Sequence, residues 1–159
     1  MSELRIGIGV DAHAFSDTAR LVLGGIELPG EPGLAGHSDG DVVAHALADA
    51  VLGAAGLGDI GSFFPSDEAE WEGASSLLFL ERAMAAVREA GYKLVNADCV
   101  LIGERPRISS ARAEMEGRLA GALGVDVGRV SVRATTTDGL GFTGRGEGLA
   151  AQAVALLST

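Results

Sequence analysis

Residues 4–13, LRIGIGVDAH, alternate strictly between two kinds of side chain. A period of two puts Ile6, Ile8 and Val10 on one face of a strand and Gly7, Gly9, Asp11 and His13 on the other. This constrains the fold more than any other stretch, because both faces of such a strand must find a neighbour. It also places a carboxylate and an imidazole on one face, about 6.5–7 Å apart along the strand.

The rest of the chain predicts what surrounds that strand. LVLGGIELPG reads as a hairpin about Gly24-Gly25, and Gly30 to Gly40 as loop. Asp41 opens a helix whose Ala44, Leu47, Ala48, Val51, Leu52 and Ala55 fall on one stripe, ending near Gly56 or Gly58. After the loop GDIGSFFPSDEAEWEG, Ser75 or Ser76 caps a helix to about Ala90, and Gly91 follows. KLVNADCVLIGE is a strand, Ser109 or Ser110 caps a helix to about Leu123, and RVSVRATTT is a strand. GEGLAAQAVALLS is expected to be a last helix. The order predicts one α+β domain over residues 1–159: a single mixed β-sheet with helices on one face and an oligomer partner on the other.

Composition narrows the function. The net charge of −10 argues against a nucleic-acid or anionic-membrane surface, but not against a small phosphorylated ligand held by a few local cations and a metal. The single cysteine, Cys99, sits in apolar ADCVLI and reads as a buried thiol. No stretch approaches the ~20 apolar residues of a membrane span. MSELRIG has no signal-like pattern, so a cytoplasmic protein is expected.

All three histidines lie in the first 45 residues, each beside aspartates. Asp11 and His13 converge on one ion only if a third ligand arrives from elsewhere; His37 in GHSDGD and His45 on the first helix are the candidates, and a helical His45 could complete an Asp-His-His set. An Asp-His-His set leaves a coordination position open, as in catalytic zinc sites. Structural or solvated histidines account for the same spacing equally simply. Likewise HSDGD is either ordinary turn and cap chemistry or a loop presenting His37 and Ser38 to a phosphate. ATTTDGLGFTGRGEG is either a glycine-rich connection or an anion site in which Asp138 holds Mg²⁺; it lacks the lysine of a P-loop. Arg105, Arg107 and Arg112 are a basic patch, either solvated or beside a nucleotide phosphate.

Taken in order, GVDAHAF, GHSDGDVVAHAL, LGDIGSFFP and ATTTDGLGFTGRGEG resemble the 2-C-methyl-D-erythritol 2,4-cyclodiphosphate synthase family of the non-mevalonate isoprenoid pathway, over about Arg5 to Leu157. The resemblance implies a homotrimer with active sites between subunits. It also implies conversion of 4-diphosphocytidyl-2-C-methyl-D-erythritol 2-phosphate to the cyclic diphosphate, with release of CMP. The substrate's own 2-phosphate attacks its β-phosphate, so no protein nucleophile is required. The resemblance assigns a Zn²⁺ (or similar ion) to Asp11, His13 and His45, and a Mg²⁺ (or Mn²⁺) to Asp138. His37 and Thr136 match the positions that stabilise the transition state, with Ser38 beside the substrate. Gly103, Glu104, Arg105, Pro106, Arg107, Ile108 and Ser109, with Ala134, Thr135, Thr136 and Thr137, match the cytidine side. Asp59, Ile60 and Gly61, with Phe64, Pro65, Ser66, Asp67 and Glu68, match the methylerythritol phosphate end. Phe142 and Arg145 match further contacts.

The chain departs from the family at four places. Asp138 stands where TTTE is usual, one methylene shorter. Ser66 and Glu68 replace two aspartates, Arg107 replaces a commoner lysine, and Gln152 replaces a glutamate found in some members near the central cavity. A competing class is a metal-dependent nucleotide-diphosphate hydrolase using the same zinc to activate water. A third is a non-catalytic nucleotide- or isoprenoid-binding trimer.

Overall fold

The alternating N-terminal stretch is strand β1 (Leu4–Ser16) in the computed structural model, which describes residues 1–65, 69 and 72–159. Its glycine face is the inner one. Gly7 and Gly9 lie against helix α1 (Val42–Ala55), and a Cβ at either would collide with the carbonyl oxygens of Ala50 and Ala46. The apolar face looks outward: Ile6, Ile8 and Val10 are 73, 60 and 62% exposed in the single chain.

The chain continues through a short hairpin, β2 (Val22–Leu23) and β3 (Ile26–Glu27), whose Gly24 and Gly25 both take positive φ. β4 (Gly33–Leu34) pairs with the end of β1. After α1 come a single turn, α2 (Ile60–Phe63), and helix α3 (Ser76–Glu89). Strand β5 (Lys93–Ile102), helix α4 (Arg112–Leu123), strand β6 (Val130–Thr135), a turn α5 (Gly141–Gly144) and strand β7 (Gly148–Ser158) complete the fold. The main sheet has the order β4-β1-β7-β5-β6, with β5 and β6 parallel and the other described pairs antiparallel. α1 lies on β1 and β7, α3 on α1, and α4 on α3 and β6. This is the expected mixed sheet with helices on one face.

One element differs in kind. The stretch expected to be a last helix is β7, the central strand, paired with β1 on one side and β5 on the other. Its alanines and leucines favour helix locally, but tertiary pairing overrides that preference. Leu149, Ala151, Ala153, Ala155 and Leu157 alternate onto the buried face, while Gln152 and Val154 face outward. A second difference is the start of α4: Ala111 precedes it with no side-chain cap, so neither Ser109 nor Ser110 caps it.

The small residues set the spacing between layers. With glycines on β1 and alanines on β7 inside, α1 sits directly on the sheet and its own alanines face the strands. Asp41 fixes where α1 begins. Its buried carboxylate accepts from the amides of Val43 and Ala44 in the first turn and from Gly24 and Gly25 in the hairpin. Those bonds fulfil the N-cap role expected of it. Cys99 is buried in the core, which pushes its thiol up to about 12 and keeps it protonated at neutral pH. Among the described residues, no helix is long and apolar enough to cross a membrane.

Candidate active site

Close packing of α1 on β1 brings the three expected ligands together. Asp11 and His13 project from the inner face of β1, and His45 lies next to Ala46, the residue that meets Gly9. Asp11 Oδ2 lies 3.0 Å from His13 Nε2 and 3.0 Å from His45 Nδ1. One donor atom from each side chain falls within 4.8 Å of the other two. The imidazole rings meet edge to face at 5.7 Å, and Phe79 of α3 lies 5.9 Å behind His45.

The electrostatics fit a cation. His13 Nε2 is buried and meets no hydrogen-bond geometry, and its near neighbour is the Asp11 carboxylate at 3.0 Å. Burial disfavours the charge on Asp11, yet the two imidazoles outweigh it and hold the carboxyl at about 2. Asp11 in turn raises the pKa of His13. A carboxylate with two imidazoles, all partly buried, suits zinc or a similar divalent ion.

The loop before α1 closes over this group. Ser38 Oγ lies 3.1 Å from His45 Nε2, and the His37 carbonyl accepts from the Gly73 amide, leaving the His37 ring exposed. A cleft of about 500 Å³, lined in part by Gly36, Ser38 and Asp39, opens beside the loop. Past α1, Asp59 caps α2 through a reciprocal pair with Ser62, and the Ile60 amide donates to Asp49 at 2.7 Å. Asp49 and Asp59 thus fix the backbone through Ile60 and Gly61. Phe64 is buried against Phe79, with Pro65 following it. Ser66, Asp67 and Glu68 lie outside the described residues.

A second group forms at the same end of the sheet. Because β5 and β6 run parallel, the segments after Ile102 and Thr135 emerge side by side, and the Gly103 amide donates to the Thr135 carbonyl. Glu104 accepts from the amides of Thr137 and Gly139 at 3.3 Å each, tying the two loops together. Arg105, which precedes Pro106 through a cis peptide bond, lies 3.6 Å from Glu31. Ile108 anchors this loop in the core, between Arg107 and Ser109. Beyond Ala134 and Thr135, the Thr136 hydroxyl donates to the Asp138 carboxylate at 3.2 Å, and Thr137 bonds Leu140 and Thr143. Arg145 pairs with Glu147, and Phe142 is 43% exposed.

Ala12, Ala150, Ile102 and Thr135 make one row across the sheet, on the outer face that carries Ile8 and Val10. Asp11 and His13 occupy the inner face. β1 and β6 stand three strand spacings apart, about 14 Å. Within one chain, therefore, the metal-ligand group and the Thr135–Asp138 turn lie apart. A larger groove, about 990 Å³, lies at the opposite end of the sheet beside Lys93 and Ser158, away from both.

Sequence reasoning treated three residues here only as turn, cap or flanking positions: Asp39, Asp49 and Ser76. Each holds another segment far away in sequence, and only the alternation of small residues that packs α1 on β1 hints at such closeness.

A mixed-sheet enzyme fold with an Asp-His-His donor set is the class defined by these features, and residues 4–158 match the YgbB family, to which the chain belongs. A relative from Rubrobacter xylanophilus, 56% identical over 99% of this chain and 96% of its own length, is a 2-C-methyl-D-erythritol 2,4-cyclodiphosphate synthase. The bifunctional IspDF structure from Campylobacter jejuni superposes with a TM-score of 0.95 at 40% identity, covering 99% of this chain and 43% of that one. A CDP-bound 2C-methyl-D-erythritol-2,4-cyclodiphosphate synthase structure gives 0.87 at 38% identity, covering 96% and 99% of the two chains.

Proposed function

We infer that residues 1–159 form one cyclodiphosphate synthase domain that converts 4-diphosphocytidyl-2-C-methyl-D-erythritol 2-phosphate to 2-C-methyl-D-erythritol 2,4-cyclodiphosphate and CMP. The observation that carries the reading is the convergence of Asp11, His13 and His45, with a buried His13 nitrogen left for a cation. An oxygen of the substrate's 2-phosphate forms a bond to the β-phosphorus, and the bond from that phosphorus to the bridging oxygen breaks. CMP leaves with the electron pair, and no water is consumed.

The protein's work is to fold the substrate back on itself and to stabilise charge at phosphorus. Asp11, His13 and His45 would hold Zn²⁺, and Asp138 would hold Mg²⁺ or Mn²⁺; such ions supply Lewis-acid neutralisation of phosphate charge. His37, exposed on its loop, donates to the reacting phosphates, and so does the Thr136 hydroxyl once a cation takes its place at Asp138, with Ser38 beside them. The loop Gly103–Ser109 and Ala134–Thr137 receive the cytidine end. Asp59, Ile60, Gly61 and the segment from Phe64 to Glu68 receive the methylerythritol end. Phe142 and Arg145 add contacts.

The separation of the two half-sites supports a homotrimer in which the metal-ligand group of one subunit faces the threonine turn of its neighbour. The exposed Ile6, Ile8 and Val10 strip supplies the apolar surface for that contact. We place the reaction in the cytoplasm, alongside other small-molecule biosynthesis.

The competing hydrolase would use the same metal-ligand group with water as nucleophile. Reaction in ¹⁸O-labelled water separates the two. The synthase reading predicts unlabelled CMP and unlabelled cyclic diphosphate; labelled phosphate in an open-chain product would establish hydrolysis instead.

A further inference from the structure

We propose that Ser76 and Asp39 are positioning residues that fix the tautomer of His45, through a hydrogen-bond relay running away from the metal-ligand group; this rests on the metal reading above. His45 offers Nδ1 to Asp11, so its other nitrogen, Nε2, faces the first turn of α3. There it meets Ser76 Oγ at 2.8 Å, with Ser38 Oγ slightly farther at 3.1 Å. Ser76 is fully buried. Its hydroxyl contacts Asp39 Oδ1 and its amide donates to Asp39 Oδ2 at 2.9 Å.

The proton count sets the direction. A hydroxyl has one proton to give, and an ionised carboxylate only accepts. Beside Asp39 the Ser76 proton goes to the carboxylate, so Ser76 Oγ can only accept from His45. With an ion bound between Asp11 and His13, that keeps the imidazole hydrogen on Nε2 and turns the Nδ1 lone pair to the ion. Metal-binding histidines are commonly oriented this way by a carboxylate on the far nitrogen, and loss of the partner costs 10–100-fold in metal affinity. Here a serine is interposed between the carboxylate and the ring.

Asp39 does not act as a helix cap alone. The α3 N-cap is Ser75, whose side chain accepts from the Leu77 amide. Asp39 also accepts from the Asp41 amide at 3.1 Å, so the same carboxylate joins the start of α1 to the start of α3. The relay therefore sits where two helices and the substrate-facing loop meet.

The decisive experiment measures ¹⁵N imidazole spectra and chelator-competed zinc affinity in the full-length protein and in Ser76→Ala and Asp39→Asn. The wild type is expected to carry the His45 hydrogen on Nε2. Ser76→Ala is expected to lose 10–100-fold in zinc affinity with its far-UV spectrum unchanged. Asp39→Asn removes the charge and one of the two acceptor oxygens that hold Ser76, which weakens the hold on its hydroxyl and, through it, on the Nε2 hydrogen. It is expected to weaken zinc comparably, and it carries the test if Ser76→Ala does not fold. Wild-type zinc affinity in both folded variants, or a His45 Nε2 without its hydrogen in the zinc-loaded wild type, would overturn the proposal. If the wild type binds no zinc, the metal reading fails and the relay with it; zinc binding that neither folded variant weakens overturns the relay alone.

Discussion

His13 Nε2 is the atom on which the residue-scale account turns: buried, unbonded and 3.0 Å from a carboxylate held well below its usual range. In the metal-free protein Asp11 adds stability that is fully present above its unfolded value of 3.8 and is lost as pH falls toward about 2. His13, raised by Asp11, works the other way: its contribution is present below 6.5 and is lost as pH rises through the raised value. Zinc must displace that proton. Zinc affinity should therefore fall as pH drops through the raised His13 value, and calorimetry in two buffers of different ionisation heat should reveal proton release. A pH-independent affinity would remove His13 from the ligand set. Asp138 is a second residue-scale case. It takes φ +52°, a left-handed conformation that short Asp and Asn tolerate better than most side chains. The local backbone thus accommodates aspartate where the family usually has glutamate. Asp138→Asn keeps that conformation and removes the charge, so the magnesium concentration for half-maximal rate should rise about tenfold or more, the cost of roughly 1.4 kcal/mol, while zinc content stays normal. Loss of zinc would mean that the two metal assignments are exchanged.

At the scale of elements, the contact between β1 and α1 governs the site. Gly9→Ala puts a methyl group into the Ala46 carbonyl. Overpacking of this kind costs about 1–3 kcal/mol, and because His45 adjoins Ala46, zinc occupancy should drop along with the denaturation midpoint. Unchanged zinc content in a destabilised variant would uncouple helix spacing from the metal. Much of this level is legible in sequence. Period-two alternation marks β1 and puts Asp11 beside His13, and the apolar stripe with Asp41 marks α1 and its start. β7 is not legible in the same way, because alternating alanine and leucine satisfies a helix and a buried strand alike, and only pairing on both edges decides. The link from Asp39 to Ser76 spans 37 positions and leaves no local pattern. The histidine ligands could be read because the chain has only three histidines, and Asp11 because it shares a strand face with His13; the serines and aspartates that serve them look like ordinary turn residues.

At the scale of the whole molecule, one chain carries the metal-ligand group on β1 and the threonine turn after β6, strands about 14 Å apart, and an exposed apolar strip on β1. Ile8→Glu places a charge in that strip. It should shift the protein from trimer toward monomer by analytical ultracentrifugation and abolish turnover, leaving zinc binding largely intact. A trimer of normal activity would show that the strip is not the interface. Mixed trimers give a sharper version. His45→Ala and Thr136→Ala chains, each inactive alone, should regain activity when unfolded and refolded together, because one kind of shared site then contains neither substitution; no recovery would place the whole site within one chain. ³¹P NMR of the zinc- and magnesium-loaded protein with 4-diphosphocytidyl-2-C-methyl-D-erythritol 2-phosphate reads cyclisation itself. CMP and the cyclic diphosphate should form in equal amounts. Unchanged substrate, or CMP accompanied by an open-chain bisphosphate, would rule cyclisation out.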